Sequence, residues 1–115
     1  MLRTIHTVCT YLIIALGVVH LLFTFHDYDA FTLRALWFAG AGFAILFAGF
    51  LNLSLLRLAA RDAVVRTLCV ITNLLCASLF GAALWLMQQP QVFVGVALFA
   101  VAAVASLAAR PRASR

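Results

Sequence analysis

The segment TIHTVCTYLIIALGVVHLLFTF, Thr4–Phe25, carries no formally charged side chain. A helix rises about 1.5 Å per residue, so the segment is long enough to cross the hydrocarbon core of a bilayer, which is about 30 Å thick. Arg3 precedes it, as in a signal peptide, but the apolar run is long and no small-residue cleavage site follows. We therefore expect a retained first transmembrane helix.

A second uncharged run follows a short polar loop. The loop contains His26, Asp27 and Asp29, and Arg34 stands directly before the run, which extends over Ala35–Leu56. Its length again suits one crossing of a bilayer. The run ends at a charged connector that contains Arg57, Arg61, Asp62 and Arg66.

The remaining chain is expected to contain two spans joined by a turn. No formal charge occurs between Arg66 and Arg110, and this distance is too long for one crossing. Pro90 lies within Gln88–Gln91 and lacks the amide that would continue a helix, so it predicts a turn there. The four expected spans are residues 4–25, 35–56, 63–87 and 92–109.

The composition supports a membrane protein. Hydrophobic residues make up 67% of the 115 positions and charged residues only 10%, which excludes a water-soluble monomer. The alternation of apolar and polar residues that marks barrel strands is absent. The predicted fold class is an all-α membrane protein, a single domain of residues 1–115 that forms a four-transmembrane-helix up-down bundle.

The arginines predict the orientation of the spans. Positively charged loops tend to stay in the cytoplasm, and only Arg34 falls on the opposite side from the others. We expect both termini in the cytoplasm, with Trp37 and Trp85 at the outward ends of their helices. The arginines expected on the cytoplasmic side are Arg3, Arg57, Arg61, Arg66, Arg110, Arg112 and Arg115.

The basic composition indicates a membrane partner and a bacterial source. The net charge of +5 comes from arginines that flank apolar runs, so the lipid bilayer rather than nucleic acid is the expected partner. The chain is rich in Ala and has Arg but no Lys, as is typical of GC-rich bacterial genomes. The expected location is therefore the bacterial inner membrane, with a multi-pass topology.

Small residues predict close packing between the helices, because lipid supplies no hydrophobic drive for helix association. Three of the expected spans contain such residues, and we expect them at interhelical contacts. They are Gly42, Ala44, Ala48 and Gly49 in the second span, Ala77, Ser78, Gly81 and Ala82 in the third, and Gly95, Ala102, Ala103 and Ser106 in the fourth.

Polar residues recur at steps of three and four positions, which places them on one face of each helix. These faces should point into the bundle, where His6 and Asn52 lie at similar depth and form a plausible hydrogen-bonded pair. The predicted inward positions are His6, Thr10, Ile13, Gly17, His20 and Thr24 in the first span, Gly42, Ile45, Gly49 and Asn52 in the second, and Cys69, Thr72, Asn73, Cys76 and Phe80 in the third.

A set of five polar residues forms the candidate site. An ionisable group such as His20 is costly inside a bilayer and often marks a ligand or ion path, although a hydrogen-bonded histidine between helices is commonplace. Asparagine amides usually join helices, and lining a substrate cavity is the alternative. The candidate ligand or polar-core residues are His20, Asn52, Thr72, Asn73 and Cys76.

Several chemistries lack the residues they need. His20, His26, Asp27 and Asp29 have no compact ligand spacing, so no metal is assigned. No catalytic residues are expected, because paired carboxylates, a nucleophilic triad and a phosphate loop are all absent, and the chain is not expected to be an enzyme. The cysteines Cys9, Cys69 and Cys76 should be buried free thiols. No cofactor is predicted.

The run from Leu36-Trp37-Phe38-Ala39-Gly40 through Gly49-Phe50-Leu51-Asn52, after a first helix that contains a histidine, resembles a group of small bacterial four-helix membrane proteins. The resemblance implies the four-helix fold and points to no particular activity. The layout is also similar to the small multidrug-resistance transporters, which use a glutamate in their first helix. The chain contains no Glu, so that mechanism is not expected.

Three functions remain open at the level of sequence. The first is a multi-pass interaction or accessory protein that acts through its helix faces, as a homo-oligomer or with a membrane-protein partner. The second is a small carrier or ligand-binding bundle with a polar cavity. The third is a dimeric cofactor binder in which two copies of His20 meet, since His6 and His20 of one chain lie about 21 Å apart along a helix.

Overall fold

The computed structural model describes residues 1–111 and contains four helices in that range. Arg112 and Arg115, which the orientation prediction also uses, lie outside the described residues. All four helices are long and apolar enough to cross a membrane. They are α1 (Leu2–Asp27), α2 (Leu33–Arg57), α3 (Ala63–Leu86) and α4 (Pro90–Ala108).

The helices pack as an antiparallel up-down bundle. His6 near the start of α1 contacts Asn52 near the end of α2, whereas His20 near the end of α1 contacts Phe38 near the start of α2. Helices α3 and α4 pair in the same way, with the rings of Phe80 and Phe99 stacked. Contacts between α1 and α4 close the ring of helices.

Side-chain caps explain where two helices begin. Thr32 accepts a hydrogen bond from the amide of Ala35, and Asp62 Oδ1 accepts from the amides of Val64 and Val65. Such caps satisfy amides that have no partner within the helix. The short connector from α2 to α3 is therefore fixed at its distal end by Asp62.

Pro90 begins α4 rather than forming the turn before it. The sequence predicted a turn at Pro90 and a helix from residue 92, so this detail was wrong. The first helical position needs no amide donor, and proline already has the φ angle of a helix, so Pro90 suits that position. The turn lies in residues 87–89.

The predicted inward stripes of α1 and α2 are confirmed. Ile13 and Gly17 are buried, as are Gly42, Ile45 and Gly49. At Gly17 the two backbones approach closely, because a Cβ there would lie 2.9 Å from the Leu46 amide nitrogen. Glycine is needed at this crossing.

The prediction for the small residues of α3 was partly wrong. Ser78, Gly81 and Ala82 are exposed, as is Ala44 of α2, and a Cβ at Gly81 would have no neighbour within 4 Å. The inward stripe of α3 is the one that carries Cys69 and Asn73, and the three small residues lie on other faces of the helix. In α4, by contrast, Gly95, Ala102, Ala103 and Ser106 are all buried as predicted.

Candidate functional site

Two asparagines form the centre of the polar interior. Asn52 of α2 donates from Nδ2 to Asn73 Oδ1 at 2.8 Å, and Asn73 of α3 donates from Nδ2 to Asn52 Oδ1 at 3.0 Å. Both side chains are fully buried. The amides therefore make a reciprocal pair between α2 and α3.

Side chains from the other helices complete this pair, and we name the five residues the polar cluster: His6, Cys69 and Ser106 with Asn52 and Asn73. His6 Nε2 of α1 lies 2.8 Å from Asn52 Oδ1, and the Cys69 thiol donates to the same oxygen at 3.2 Å. Asn73 Nδ2 also donates to Ser106 Oγ of α4 at 3.3 Å. All four helices thus meet in one hydrogen-bonded cluster.

The orientation of the Asn52 amide determines which ring nitrogen of His6 carries the hydrogen of their bond. Asn52 Nδ2 donates to the carbonyl oxygen of Ala48 at 2.8 Å, so the amide oxygen must face the imidazole. An amide oxygen only accepts, and His6 Nε2 therefore carries the hydrogen of this bond. In neutral His6 the other nitrogen, Nδ1, keeps a lone pair.

The fully buried polar atoms of the polar cluster all have hydrogen-bond partners. Ser106 Oγ donates to the carbonyl oxygen of Ala103 at 3.0 Å. Within residues 1–111, every buried side-chain nitrogen or oxygen has a partner. A buried amide without a partner would cost about 1–3 kcal/mol, so this arrangement holds the helices together in one register.

The structure brings together only two of the five candidate residues. Asn52 and Asn73 lie in the polar cluster, and the predicted hydrogen bond between His6 and Asn52 is present. Cys76 is half-buried and packs against the apolar core, and Thr72 is half-buried outside the cluster. None of the five candidate residues lines either of the two cavities described below.

His20 lies apart from the polar cluster, toward the other end of α1. Its Nε2 is 3.1 Å from the carbonyl oxygen of Phe38, and its ring stacks on the Phe38 ring with centroids 4.1 Å apart. The ring of Tyr28 also lies against Phe38, at 5.4 Å between centroids. His20 therefore joins α1 to α2 through one hydrogen bond and one stacking contact.

Two substitutions of His20 test whether its hydrogen bond and its stacking contact both stabilise the bundle. We expect His20→Phe to keep the stacking and lose the hydrogen bond, lowering the free energy of unfolding by about 0.5–1.5 kcal/mol. His20→Ala should cost more, because it loses both contacts. Unfolding by SDS in mixed micelles measures the difference, and equal losses for the two variants would contradict this assignment.

The sequence singled out Asn52 and Asn73 but left His6, Cys69 and Ser106 out of the candidate site. Depth could have indicated Ser106, since it lies near the end of α4 that is level with Cys69 at the start of α3. The sequence analysis treated Ser106 only as a small residue for close packing and not as a hydrogen-bonding residue. A serine in an Ala-rich segment carries a weak signal, because it also suits close helix contacts.

A cleft of about 190 Å³ opens at the end of the bundle beside His6. It lies between the start of α1, the end of α2 and the end of α4. Arg3 and Arg110 line it together with His6, and the other side chains that line it belong to leucines and alanines. A second, almost wholly apolar groove of about 340 Å³ runs between α1 and α4.

The described residues contain no group of three His, Cys, Asp or Glu side chains that could hold a metal ion. Cys9, Cys69 and Cys76 are free thiols. Cys9 donates to the carbonyl oxygen of Leu98 at 3.0 Å, and Cys69 belongs to the polar cluster. The thiols therefore contribute to contacts between helices.

Comparison of the chain with family models, curated proteins and solved structures finds no match. The interpretation of the polar cluster and of the cleft therefore depends on their own geometry.

Proposed function

We propose that the chain is a multi-pass protein of a bacterial inner membrane with both termini in the cytoplasm. The distribution of charge supports this orientation. One end of the bundle, here named the arginine end, carries Arg3, Arg57, Arg61, Arg66 and Arg110 with a single acidic residue, Asp62. The opposite end carries Arg34 with Asp27 and Asp29. Positively charged segments are retained in the cytoplasm.

The tryptophans support the same placement. Trp37 is 71% exposed near the start of α2, and Trp85 is 90% exposed near the end of α3. Both lie at the end opposite the arginine end. Indole rings favour the interface between lipid and water, so two exposed rings at one level suit the outer interface of a membrane.

Within that membrane, the protein acts by binding other membrane proteins or further copies of itself through its helix faces. The observation that carries this proposal is the polar cluster, whose buried groups satisfy one another. A carrier needs interior polar groups that are free to bind cargo, and the amides of Asn52 and Asn73 already bind each other. The outer helix faces are then the available surface.

The outward face of α3 is the favoured contact surface. Only 11% of the most apolar part of α3 is buried in the bundle, against 22–39% for the other helices. Its exposed side carries the small residues Ser78, Gly81 and Ala82. Small residues let a second helix approach closely, whereas contact with lipid gains nothing from them.

Native mass spectrometry from lipid nanodiscs, with an absorption spectrum of the same sample, tests this function. We expect a defined oligomer or a co-purified membrane protein, and no bound small molecule. Gly81→Leu should weaken the association about fivefold or more, because a steric overlap at a packed contact costs about 1–3 kcal/mol. The fold should survive, since Gly81 is exposed and a Cβ there has no neighbour within 4 Å in the bundle.

Ala15→Leu is the matched control, because Ala15 is exposed on α1 among large neighbours such as Leu12 and Val19. It should leave the association unchanged. A reproducible bound small molecule or a visible cofactor band would overturn the proposal in favour of a carrier or cofactor binder. Association that both variants weaken equally would reject α3 as the contact surface.

A further inference from the structure

The cleft at the arginine end is lined by the buried His6 and by two arginines, Arg3 and Arg110. His6 is only 3% exposed, and its Nδ1 has no hydrogen bond within residues 1–111. Because no fully buried side-chain nitrogen in that range lacks a partner, Nδ1 is not fully buried, and His6 lines the cleft. The polar cluster therefore has one free acceptor on a residue of the cleft wall.

The two cations that line the cleft have no acidic partner within residues 1–111. Among the described residues, neither Arg3 nor Arg110 forms a salt bridge, and Asp62, the acidic residue at this end, caps α3. Arg66 donates to the carbonyl oxygen of Ala109 at 3.2 Å, so it partly compensates the negative end of α4. The cleft thus retains a positive charge that suits a phosphate group.

The apolar groove adjoins this cleft on both α1 and α4. On α1, Arg3 of the cleft directly precedes Thr4 of the groove, and on α4, Ala105 of the cleft lies one helical turn from Val101 of the groove. From Ala97 in the groove to Ala109 in the cleft, α4 rises about 18 Å at 1.5 Å per residue, which is close to the hydrocarbon depth of one leaflet, about 15 Å.

We propose that the cleft and the groove together bind one anionic phospholipid. This inference rests on the proposed membrane location. The phosphate lies between Arg3 and Arg110, and one acyl chain follows the groove between α1 and α4. His6 Nδ1 accepts a hydrogen bond from a headgroup hydroxyl, which favours a polyol headgroup such as that of phosphatidylglycerol over choline. Basic pockets between helices on the cytoplasmic side suit anionic headgroups.

The test is the lipid that the full-length protein retains after ejection from nanodiscs into a mass spectrometer. The nanodiscs contain equal parts of dioleoylphosphatidylcholine and dioleoylphosphatidylglycerol. We expect one phosphatidylglycerol molecule per chain. The double variant Arg3→Gln/Arg110→Gln should lower its retention by on the order of tenfold, since each arginine near an anionic surface contributes to binding.

The double variant Arg57→Gln/Arg61→Gln is the matched control. It removes the same charge from the same end, but these residues do not line the cleft, and retention should stay unchanged. Equal losses for both double variants would overturn the proposal in favour of a diffuse charge effect. Retention of phosphatidylglycerol no greater than that of phosphatidylcholine would overturn it as well.

A second pair of variants tests the acyl-chain groove. Ala97→Phe places a ring in the groove and should lower retention, whereas Ala100→Phe adds the same ring on an exposed part of α4 outside the groove and should not. Equal retention by the two variants would overturn the groove assignment. Displacement of the lipid by millimolar inorganic phosphate would identify a site for free phosphate instead.

The proposed membrane location has its own control. Alkaline carbonate extraction of cell membranes shows whether the chain is integral, and this result does not depend on which lipid is bound. An integral protein without selective lipid retention would overturn the lipid site alone. Release of the chain by carbonate would overturn the membrane proposal and the lipid site together.

Discussion

Asn52→Leu should lower the free energy of unfolding by about 2–4 kcal/mol. The change removes the oxygen that accepts from His6 Nε2, Cys69 Sγ and Asn73 Nδ2, and it removes the donor to Asn73 Oδ1. Each buried group left without a partner costs about 1–3 kcal/mol, although single interhelical hydrogen bonds in membranes average nearer 0.6 kcal/mol. The loss of several bonds at one point makes this the largest effect expected.

A double-mutant cycle with Asn73→Leu measures the coupling free energy between the two asparagines. Asn52→Leu/Asn73→Leu should cost at least about 1 kcal/mol less than the sum of the single variants, because the second change removes groups that the first leaves unpaired. Equilibrium unfolding by SDS in mixed micelles, followed by circular dichroism, supplies the three values.

Thr72→Val is the control for that cycle. It changes a neighbouring half-buried hydroxyl that lies outside the polar cluster, and it should change stability by less than about 0.5 kcal/mol. Additive losses for the two asparagines would contradict the reciprocal pair. Unchanged stability together with altered small-molecule binding would indicate that the asparagines line a ligand site.

The four helices and the inward stripes could be predicted from sequence because long apolar runs and three- and four-residue spacing are strong signals. The ends of the helices deviate by a few residues. At Pro90 the sequence allowed either a turn or the first position of a helix, because the missing amide is compatible with both. The cap at Thr32 starts α2 at Leu33, two residues before the predicted span, whereas α3 begins at Ala63, as predicted, directly after its cap Asp62.

The polar cluster was only half predictable. Asn52 and Asn73 are conspicuous in apolar segments, and depth along the helices was enough to pair His6 with Asn52. Which helix faces another depends on the rotation of every helix about its axis. Sequence spacing gives one stripe per helix but not the partner of that stripe. Depth could place Ser106 level with Cys69, but its hydrogen bond with Asn73 follows only from the packed bundle.

The exposed small residues of α3 show the opposite limitation. A small residue in an apolar helix indicates a close contact, but it does not say whether the contact is within one bundle or with a second protein. Within residues 1–111, Ser78 and Gly81 are exposed and do not pack inside the bundle. Their small size is therefore the basis for proposing a contact with a second protein.

Gly17→Ala should lower the free energy of unfolding by about 1–3 kcal/mol, although alanine is the better helix former. The new Cβ would lie 2.9 Å from the Leu46 amide nitrogen and 3.0 Å from the Leu46 Cα. These are backbone atoms, so no side chain can rotate away, and α1 and α2 must separate. Separation would weaken the contacts along the crossing, including the packing of Ile13 in the core.

Gly40→Ala is the matched control on α2, and it should have the opposite sign. A Cβ at Gly40 meets no heavy atom within 4 Å, so only the helix preference of alanine remains, worth up to about 1 kcal/mol in favour of the folded state. Unfolding in mixed micelles compares the two variants directly. If both variants shift stability in the same direction by the same amount, backbone contact between α1 and α2 is not what requires glycine at position 17.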